Sequence, residues 1–123
     1  MGAEDNWIWP PSMDAVVAAP ESHRVLIEND DVRVLEVTIA AGHREPEHTH
    51  RDSSVMIVDG AARIRYYQGG TLTFSSPPDP VPAGTRASWM LPEGPHSVEN
   101  VDDHPYHAVR VELKAHGRAL PSQ

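Results

Sequence analysis

Two histidine-containing segments of this 123-residue chain carry residues that could do chemistry. In the first segment, His48 and His50 are separated by one residue, and in the second, His96 follows Pro92-Glu93-Gly94-Pro95. Residues i and i+2 of a β-strand point to the same face, so His48 and His50 could bind one metal ion together. A His-x-His pair alone is more often solvent-exposed, and it is the combination with His96 that favours a metal site. Three imidazoles suit Fe, Zn, Cu and Ni.

The composition limits the other kinds of site and partner. The chain has no cysteine, which excludes thiolate ligands, cysteine nucleophiles and disulfides. Its formal net charge is −8 and its ten basic residues are scattered, so we expect no nucleic-acid partner. The N-terminal segment lacks the apolar centre of a signal peptide, and no apolar run approaches the ~20 residues of a membrane span. We therefore expect a cytoplasmic protein with no membrane partner.

The pattern along the chain predicts many short strands in a single domain. The 12 prolines and 8 glycines favour turns, and Val32–Ile39 alternates with period two, as a half-buried strand does. Asp59-Gly60 predicts a hairpin between strands over 55–58 and 61–67. We expect eight or nine strands and one short helix over 13–19, capped by Ser12. The predicted organisation is an N-terminal arm and short helix (1–22), a β-barrel (23–114) and a C-terminal tail (115–123).

Both histidine segments resemble the conserved motifs of the cupin superfamily. The first motif is matched by Gly42, five further residues, His48-Thr49-His50 and Val55-Met56-Ile57-Val58-Asp59-Gly60. The second is matched by Pro92-Glu93-Gly94-Pro95-His96 and by Asn100, four residues beyond the histidine. The resemblance covers roughly residues 25–114 and is closest to small single-domain bacterial cupins. It implies an all-β, cupin-type double-stranded β-helix (jelly-roll) barrel that binds one divalent metal ion, at its mouth, through His48, His50 and His96.

The chain departs from the cupin pattern at one ligand position. Most cupins carry a metal-binding glutamate seven residues before the glycine that ends the first motif, and here that position is Ser53. The resemblance then implies a site of three neutral imidazoles, with the fourth ligand lost, replaced by water or donated from elsewhere. Such three-His cupin sites are similar to those of some non-haem Fe(II) dioxygenases. The identity of the metal stays open among Fe, Zn, Ni, Mn and Cu.

Several further residues are weighed as parts of a substrate pocket. Ser53, Trp89 and His107 are the candidates, although Trp89 and His107 would equally suit the protein core. The remaining histidines lie in turns or at the ends of predicted strands, and we expect them at the surface: His23, His43, His104 and His116. Glu45 and Glu47 are possible carboxylate donors, but Glu47 should point away from His48. No catalytic residue can be named.

The functional hypotheses remain open at this point. The first is a metal-dependent enzyme that acts on a small carbonyl-type metabolite, for example as a three-His dioxygenase. The alternatives are a non-catalytic cupin that binds a metal or small ligand, and a metal-dependent isomerase or cyclase. Trp7 and Trp9 lie on the predicted N-terminal arm and should pack on this barrel or on a second copy. With the habit of cupins to pair their barrels, this arm favours a homodimer.

Overall fold

A computed structural model describes residues 6–114 of the chain, and its strands form two antiparallel sheets. The strands are β1 (His23–Glu28), β2 (Val32–Ile39), β3 (His48–His50), β4 (Ser54–Gly60), β5 (Ile64–Gln68), β6 (Thr71–Ser75), β7 (Arg86–Met90), β8 (Glu93–Asn100) and β9 (Tyr106–Leu113). One sheet has the strand order β1-β2-β9-β4-β7, and the other has the order β3-β8-β5-β6. The predicted all-β architecture is therefore confirmed. The predicted tail, with His116, lies outside the described residues.

Strand β2 shows how the sequence pattern sets the faces of the larger sheet. Leu35, Val37 and Ile39 are buried, whereas Thr38 is exposed on the opposite face. The period-two alternation predicted these faces correctly because successive strand residues point to opposite sides. These three buried apolar side chains of β2 point into the space between the two sheets.

Strand β9 lies next to β2 and has the reverse pattern. Its inward face consists of Ala108, Arg110 and Glu112, which are all buried, and its outward face contains Val109 and Val111. The register pairs Leu35 with Arg110, so the charged side chains of β9 point to the same side as the apolar face of β2. The barrel interior is thus partly polar.

The predicted hairpin at Asp59-Gly60 is wrong. Strand β4 pairs with β7 and β9, while β5 pairs with β6 and β8, so the chain crosses from one sheet to the other after Gly60. Gly60 has another role, because a Cβ atom at this position would lie 3.0 Å from Cβ of His107. The glycine therefore permits close approach of β4 and β9 rather than a tight turn.

The predicted helix over 13–19 is shorter than expected and has a different cap. A 3₁₀ turn spans Pro11–Met13, and helix α1 spans Ala15–Ala18. Asp14 is the N-cap, since its carboxylate accepts a hydrogen bond from the backbone N–H of Val16 at 3.2 Å. Within residues 6–114, no helix is long and apolar enough to cross a membrane.

The N-terminal arm packs on the barrel of its own chain. The Trp9 ring lies against Gly94 at the start of β8, where a Cβ atom would be 3.0 Å from Cη2 of Trp9. Trp7 contacts Trp9 edge-on, with ring centroids 4.8 Å apart. Gly94 of the second motif thus provides the surface on which Trp9 packs, two residues before His96.

We expect Gly94→Ala to destabilise the protein by about 1–3 kcal/mol, because the new methyl group would overlap the Trp9 ring. The measurement is the free energy of unfolding in urea. The same substitution in a Trp9→Ala background should cost much less, because the overlap is then absent. Equal costs in the two backgrounds would show that the arm does not pack on Gly94.

Candidate metal centre

Four imidazole rings meet at one end of the barrel interior. His48 and His50 make up the ends of β3, and His96 lies opposite His48 on the paired strand β8. His23, the first residue of β1, reaches the same place from the other sheet, and all four residues are buried. Ring centroids are 4.4 Å apart for His48 and His96 and 4.6 Å apart for His23 and His48. The structure brings together the three histidines predicted from the motifs and adds a fourth.

His23 is the member of this cluster that sequence reasoning missed. It was expected at the surface, but it is only 4% exposed. It pairs with Val37, an inward-facing residue of β2, and this register directs its side chain into the barrel. The sequence indicated only that His23 begins a strand. The inward direction of its side chain follows from the pairing with β2. His43 and His104 are exposed, as expected.

The hydrogen bonds of the four rings are all made by Nδ1. Backbone carbonyl oxygens lie near Nδ1 in three rings: Pro46 for His48 at 2.8 Å, Gly94 for His96 at 2.7 Å, and Ala19 for His23 at 3.1 Å. A carbonyl oxygen can only accept, so each Nδ1 carries the proton and Nε2 keeps a free lone pair. Nδ1 of His50 lies 2.9 Å from the Glu112 carboxylate, with the same consequence. Nε2 is the atom that a metal ion would use.

The four rings are held in the neutral state. Burial lowers the pKa of His23 to about 4 and that of His48 to about 3, and it also lowers the pKa of His50 and His96. The nearby rings and the Arg110 guanidinium add to this effect because they disfavour a further positive charge. Neutral imidazole is the form that binds metals, so the protonation state fits a metal site.

Two carboxylates border the histidine cluster. Glu45 accepts hydrogen bonds from Ser22 Oγ at 2.9 Å and from the Val98 backbone N–H at 3.1 Å, and it lies 3.6 Å from Nε2 of His48. Burial raises the pKa of Glu45 to about 7. Of the two carboxylate donors that the sequence suggested, Glu45 lies beside the rings, whereas Glu47 is exposed.

Glu93 is the second carboxylate and comes from the Pro-x-Gly segment of the second motif. It accepts hydrogen bonds from the Tyr66 hydroxyl and from Nη2 of Arg110, the latter at 2.7 Å. Burial alone would raise the pKa of Glu93, but His96, Arg110 and these hydrogen bonds outweigh burial and lower it. Potential ligand atoms lie within 4.8 Å of one another in two groups, His23-His48-His50 and His50-Glu93-His96. His50 belongs to both groups.

A chain of charged side chains runs from His50 to the N-terminal helix. Glu112 contacts His50 through one oxygen and accepts a 2.6 Å hydrogen bond from Nε of Arg33 through the other. Arg33 in turn donates to both carboxylate oxygens of Asp14 at 2.9 Å. Burial raises the pKa of Glu112, and the Arg33 guanidinium opposes this effect. Asp14 thus caps α1 and also anchors the chain of contacts that orients His50.

A cavity of about 200 Å³ adjoins the cluster. It is lined by His23, Val37, Ile39, Glu45, His48, His50, Met56, Val58, Ile64, Tyr66, Ser88, Met90, Glu93, His96, Val98, Tyr106 and Arg110. Most of these walls are apolar, and the polar groups are concentrated at the histidine end. This arrangement suits a small molecule that is held beside a metal ion.

The three residues expected in the substrate pocket lie outside this lining. Trp89 is 55% exposed, because the inward face of β7 carries Ser88 and Met90. His107 points outward from β9 and contacts the carboxylates of Glu36 and Asp59. The apolar face that the two residues share is the outer face of the sheet, which sequence reasoning took for the inner one.

Ser53 also differs from its expected position. It precedes β4, and its carbonyl oxygen accepts a 2.9 Å hydrogen bond from the Leu113 backbone N–H. The inward-facing neighbour is Ser54, which is fully buried and pairs with Glu112 and Met90. The carboxylates near the histidines therefore come from Glu45 and Glu93, and no side chain of the 51–54 segment joins the cavity lining.

Comparisons with known proteins agree with the geometry of the barrel. No protein-family model matches the sequence, and no curated protein matches it. Among solved structures, a cupin domain from Bordetella pertussis Tohama I is similar with a TM-score of 0.63 and 22% identity, over 76% of this chain and 92% of that one. A cupin 2 conserved barrel protein from Salinispora arenicola has a TM-score of 0.54 and 18% identity, over 93% and 95% of the two chains.

A third structure extends the comparison to an archaeal protein. An RmlC-like cupin with a double-stranded β-helix fold from Methanocaldococcus jannaschii is similar with a TM-score of 0.55 and 8% identity, over 79% of this chain and 83% of that one. At these identities the likeness establishes the fold. The chain has an all-β cupin fold, and its buried histidines form a group that could hold a metal ion.

We expect Glu112→Gln to weaken metal binding by about 10–100-fold, because the neutral amide no longer supports the basicity and orientation of His50. The measurement is the dissociation constant obtained by competition with a chromogenic chelator. Glu99→Gln is the matched control, since Glu99 accepts a hydrogen bond from Tyr67 away from the cluster. An unchanged metal affinity in a folded Glu112→Gln protein would contradict this role.

Proposed function

We propose that the chain binds one divalent metal ion through His48, His50 and His96, with His23 as a further nitrogen donor, and acts on a small carbonyl-type molecule in the adjoining cavity. The observation that carries the proposal is the set of four buried, neutral imidazoles whose Nε2 atoms make no hydrogen bond to residues 6–114. A buried acceptor without a partner is unfavourable. A cation held by either group of potential ligands would satisfy several of these lone pairs.

We predict about one metal ion per chain in protein purified without a histidine tag. His50→Ala should lower the metal affinity most, because His50 is shared by both groups of potential ligands. His23→Ala should have a smaller effect, since it removes a donor from one group only. Metal analysis after loading is the measurement, and His43→Ala is the control at an exposed position. Occupancy below about a tenth, or unchanged binding in His50→Ala, would contradict the proposal.

The reaction class depends on the ion. Bound iron would supply redox chemistry with O₂, whereas another divalent ion would polarise a carbonyl oxygen as a Lewis acid. Dioxygenation is the first candidate, supported by the imidazole-rich donor set that three-His cupin oxygenases share. In such a reaction both atoms of O₂ enter the product, so no external reductant is required.

An isomerase or cyclase is the second candidate, and the position of Glu45 favours it. This carboxylate lines the cavity and lies 3.6 Å from Nε2 of His48, where it could take a proton from a carbon next to a bound carbonyl group. The Tyr66 hydroxyl, on the other side of the cluster, could hold or return a proton. These two residues strengthen the case for an enzyme over a passive binding module.

Two assays on the same panel of compounds can separate these reaction classes. We expect the iron-loaded protein to consume O₂ with at least one member of a panel of small carbonyl compounds, measured with an oxygen electrode. If it instead exchanges substrate protons with deuterated solvent and consumes no O₂, the second candidate is correct, and Glu45→Gln should slow the exchange whereas Glu47→Gln should not. Binding of the compounds without either reaction would indicate a non-catalytic cupin.

We also propose that the protein is a homodimer that pairs through the outer face of its larger sheet. The register aligns one apolar residue from each strand of this sheet in a continuous row: Ile27, Val34, Val111, Val55 and Trp89. Ile27 is 59% exposed and Trp89 is 55% exposed. Apolar surface of this extent on a sheet face is typical of an interface between proteins.

We expect Trp89→Glu to convert the dimer into a monomer, because a charge would be buried between the paired faces. Light scattering at micromolar concentration is the measurement. Leu72→Glu is the matched control, because Leu72 is 49% exposed but lies on β6 in the other sheet. A wild-type monomer, or a dimer that survives Trp89→Glu, would contradict the proposal.

A further inference from the structure

Arg110 is a buried cation in the middle of the barrel. It is 2% exposed, and its neighbours on the adjacent strands are the apolar residues Leu35 and Met56. A guanidinium is a permanent cation, and its burial is unfavourable unless its N–H groups are paired. Arg110 also lines the cavity, so any N–H group that it leaves unpaired is available to a ligand there.

The guanidinium of Arg110 is incompletely paired. Nη2 donates to Glu93 at 2.7 Å, Nη1 faces the Met56 sulfur at 3.9 Å, and Nε is buried with no hydrogen-bond partner among residues 6–114. Arg33, the other arginine inside the barrel, differs, since Nε, Nη1 and Nη2 all donate to carboxylate oxygens of Glu112 and Asp14. Arg110 therefore retains N–H groups that could bind a further oxygen acceptor.

Arg110 is the arginine that the structure places in the lining of the cavity, and its Nη2 is already paired with Glu93. Burial would strengthen the attraction between its remaining N–H groups and the carboxylate of a bound ligand.

The size and walls of the cavity limit the rest of the ligand. Its volume of about 200 Å³ lies below the ~300–1,000 Å³ of pockets for drug-sized ligands, so the ligand should be small. Aliphatic side chains provide much of the wall: Val37, Ile39, Val58, Ile64 and Val98. The body of the ligand should therefore be short and apolar.

We propose that the cavity binds a small aliphatic carboxylate, with the carboxylate group on Arg110 and the apolar body between the two sheets. The proposal rests on the proposed function in that it names the ligand class of the same cavity. It assigns to Arg110 the recognition of the anion, a role separate from that of the histidines. Glu93 then acts as the partner that keeps the guanidinium in place.

The test compares 3-methylbutanoate with 3-methylbutanamide, which have the same number of non-hydrogen atoms but differ in charge. We expect the acid to bind the zinc-loaded protein at least about tenfold more tightly than the amide, measured by titration calorimetry. Arg110→Met should remove this preference and Arg110→Lys should reduce it. Because Arg110→Met removes the arginine partner of Glu93, the Arg110→Met/Glu93→Gln double variant provides a charge-balanced form. Arg65→Met, at a 47% exposed side chain, should leave the preference unchanged.

The outcomes separate this inference from the proposed function. Equal binding of acid and amide, or no binding of either at millimolar concentration, would overturn the inference. So would an acid preference that persists in metal-loaded Arg110 variants, because the anion would then bind the metal alone. If the chain holds no metal but prefers the acid through Arg110, the proposed function fails and the inference stands.

Discussion

The hydrogen bonds on Nδ1 of the four buried histidines are the interactions on which the rest of the site depends. Each acceptor fixes both the orientation of its ring and its tautomer, so that Nε2 is left unprotonated. Two of these acceptors, Pro46 O and Gly94 O, lie two residues before the histidine that they hold. The local backbone therefore helps to orient His48 and His96. His50 depends instead on Glu112 and on the distant residues that hold it.

This difference connects the site to the N-terminal segment. Glu112 is held by Arg33, and Arg33 is held by Asp14, which also caps α1. A buried carboxylate that lost Arg33 would be strongly destabilised as an anion. The short helix is therefore part of the scaffold that orients His50, even though none of its residues lines the cavity. The packing of Trp9 on Gly94 adds a second link between the arm and the site, next to His96.

The sequence predicted the local features of this protein better than the long-range ones. The spacing of His48 and His50 predicted that the two share one face, because strand parity is a local property, whereas the approach of His96 was expected from the resemblance to the two cupin motifs. His23 could not be found in this way, since its inward direction follows from pairing with Val37. For the same reason the crossover after Gly60 was taken for a hairpin: the two readings share the same local sequence.

Strand β9 shows that an alternating pattern does not by itself identify which face of a strand points into the barrel. The sequence analysis placed His107 in the pocket or the core, whereas Arg110 and Glu112 point inward and His107 lies on the outward face with Val109 and Val111. The usual rule fails because the interior contains charged groups that pair with one another, and because the outer face of this sheet is apolar.

The cost of burying those charges is itself informative. Glu112 and Glu93 each have an arginine partner, and Glu45 has two hydrogen-bond donors, so the unfavourable desolvation of each is largely offset. Replacing such groups by apolar residues of similar size would often be neutral or stabilising for a fold of this kind. Their presence around the histidines and the cavity therefore points to a requirement other than stability. The argument is strongest for Arg110, because its buried Nε has no hydrogen-bond partner in the part of the chain that the structure describes.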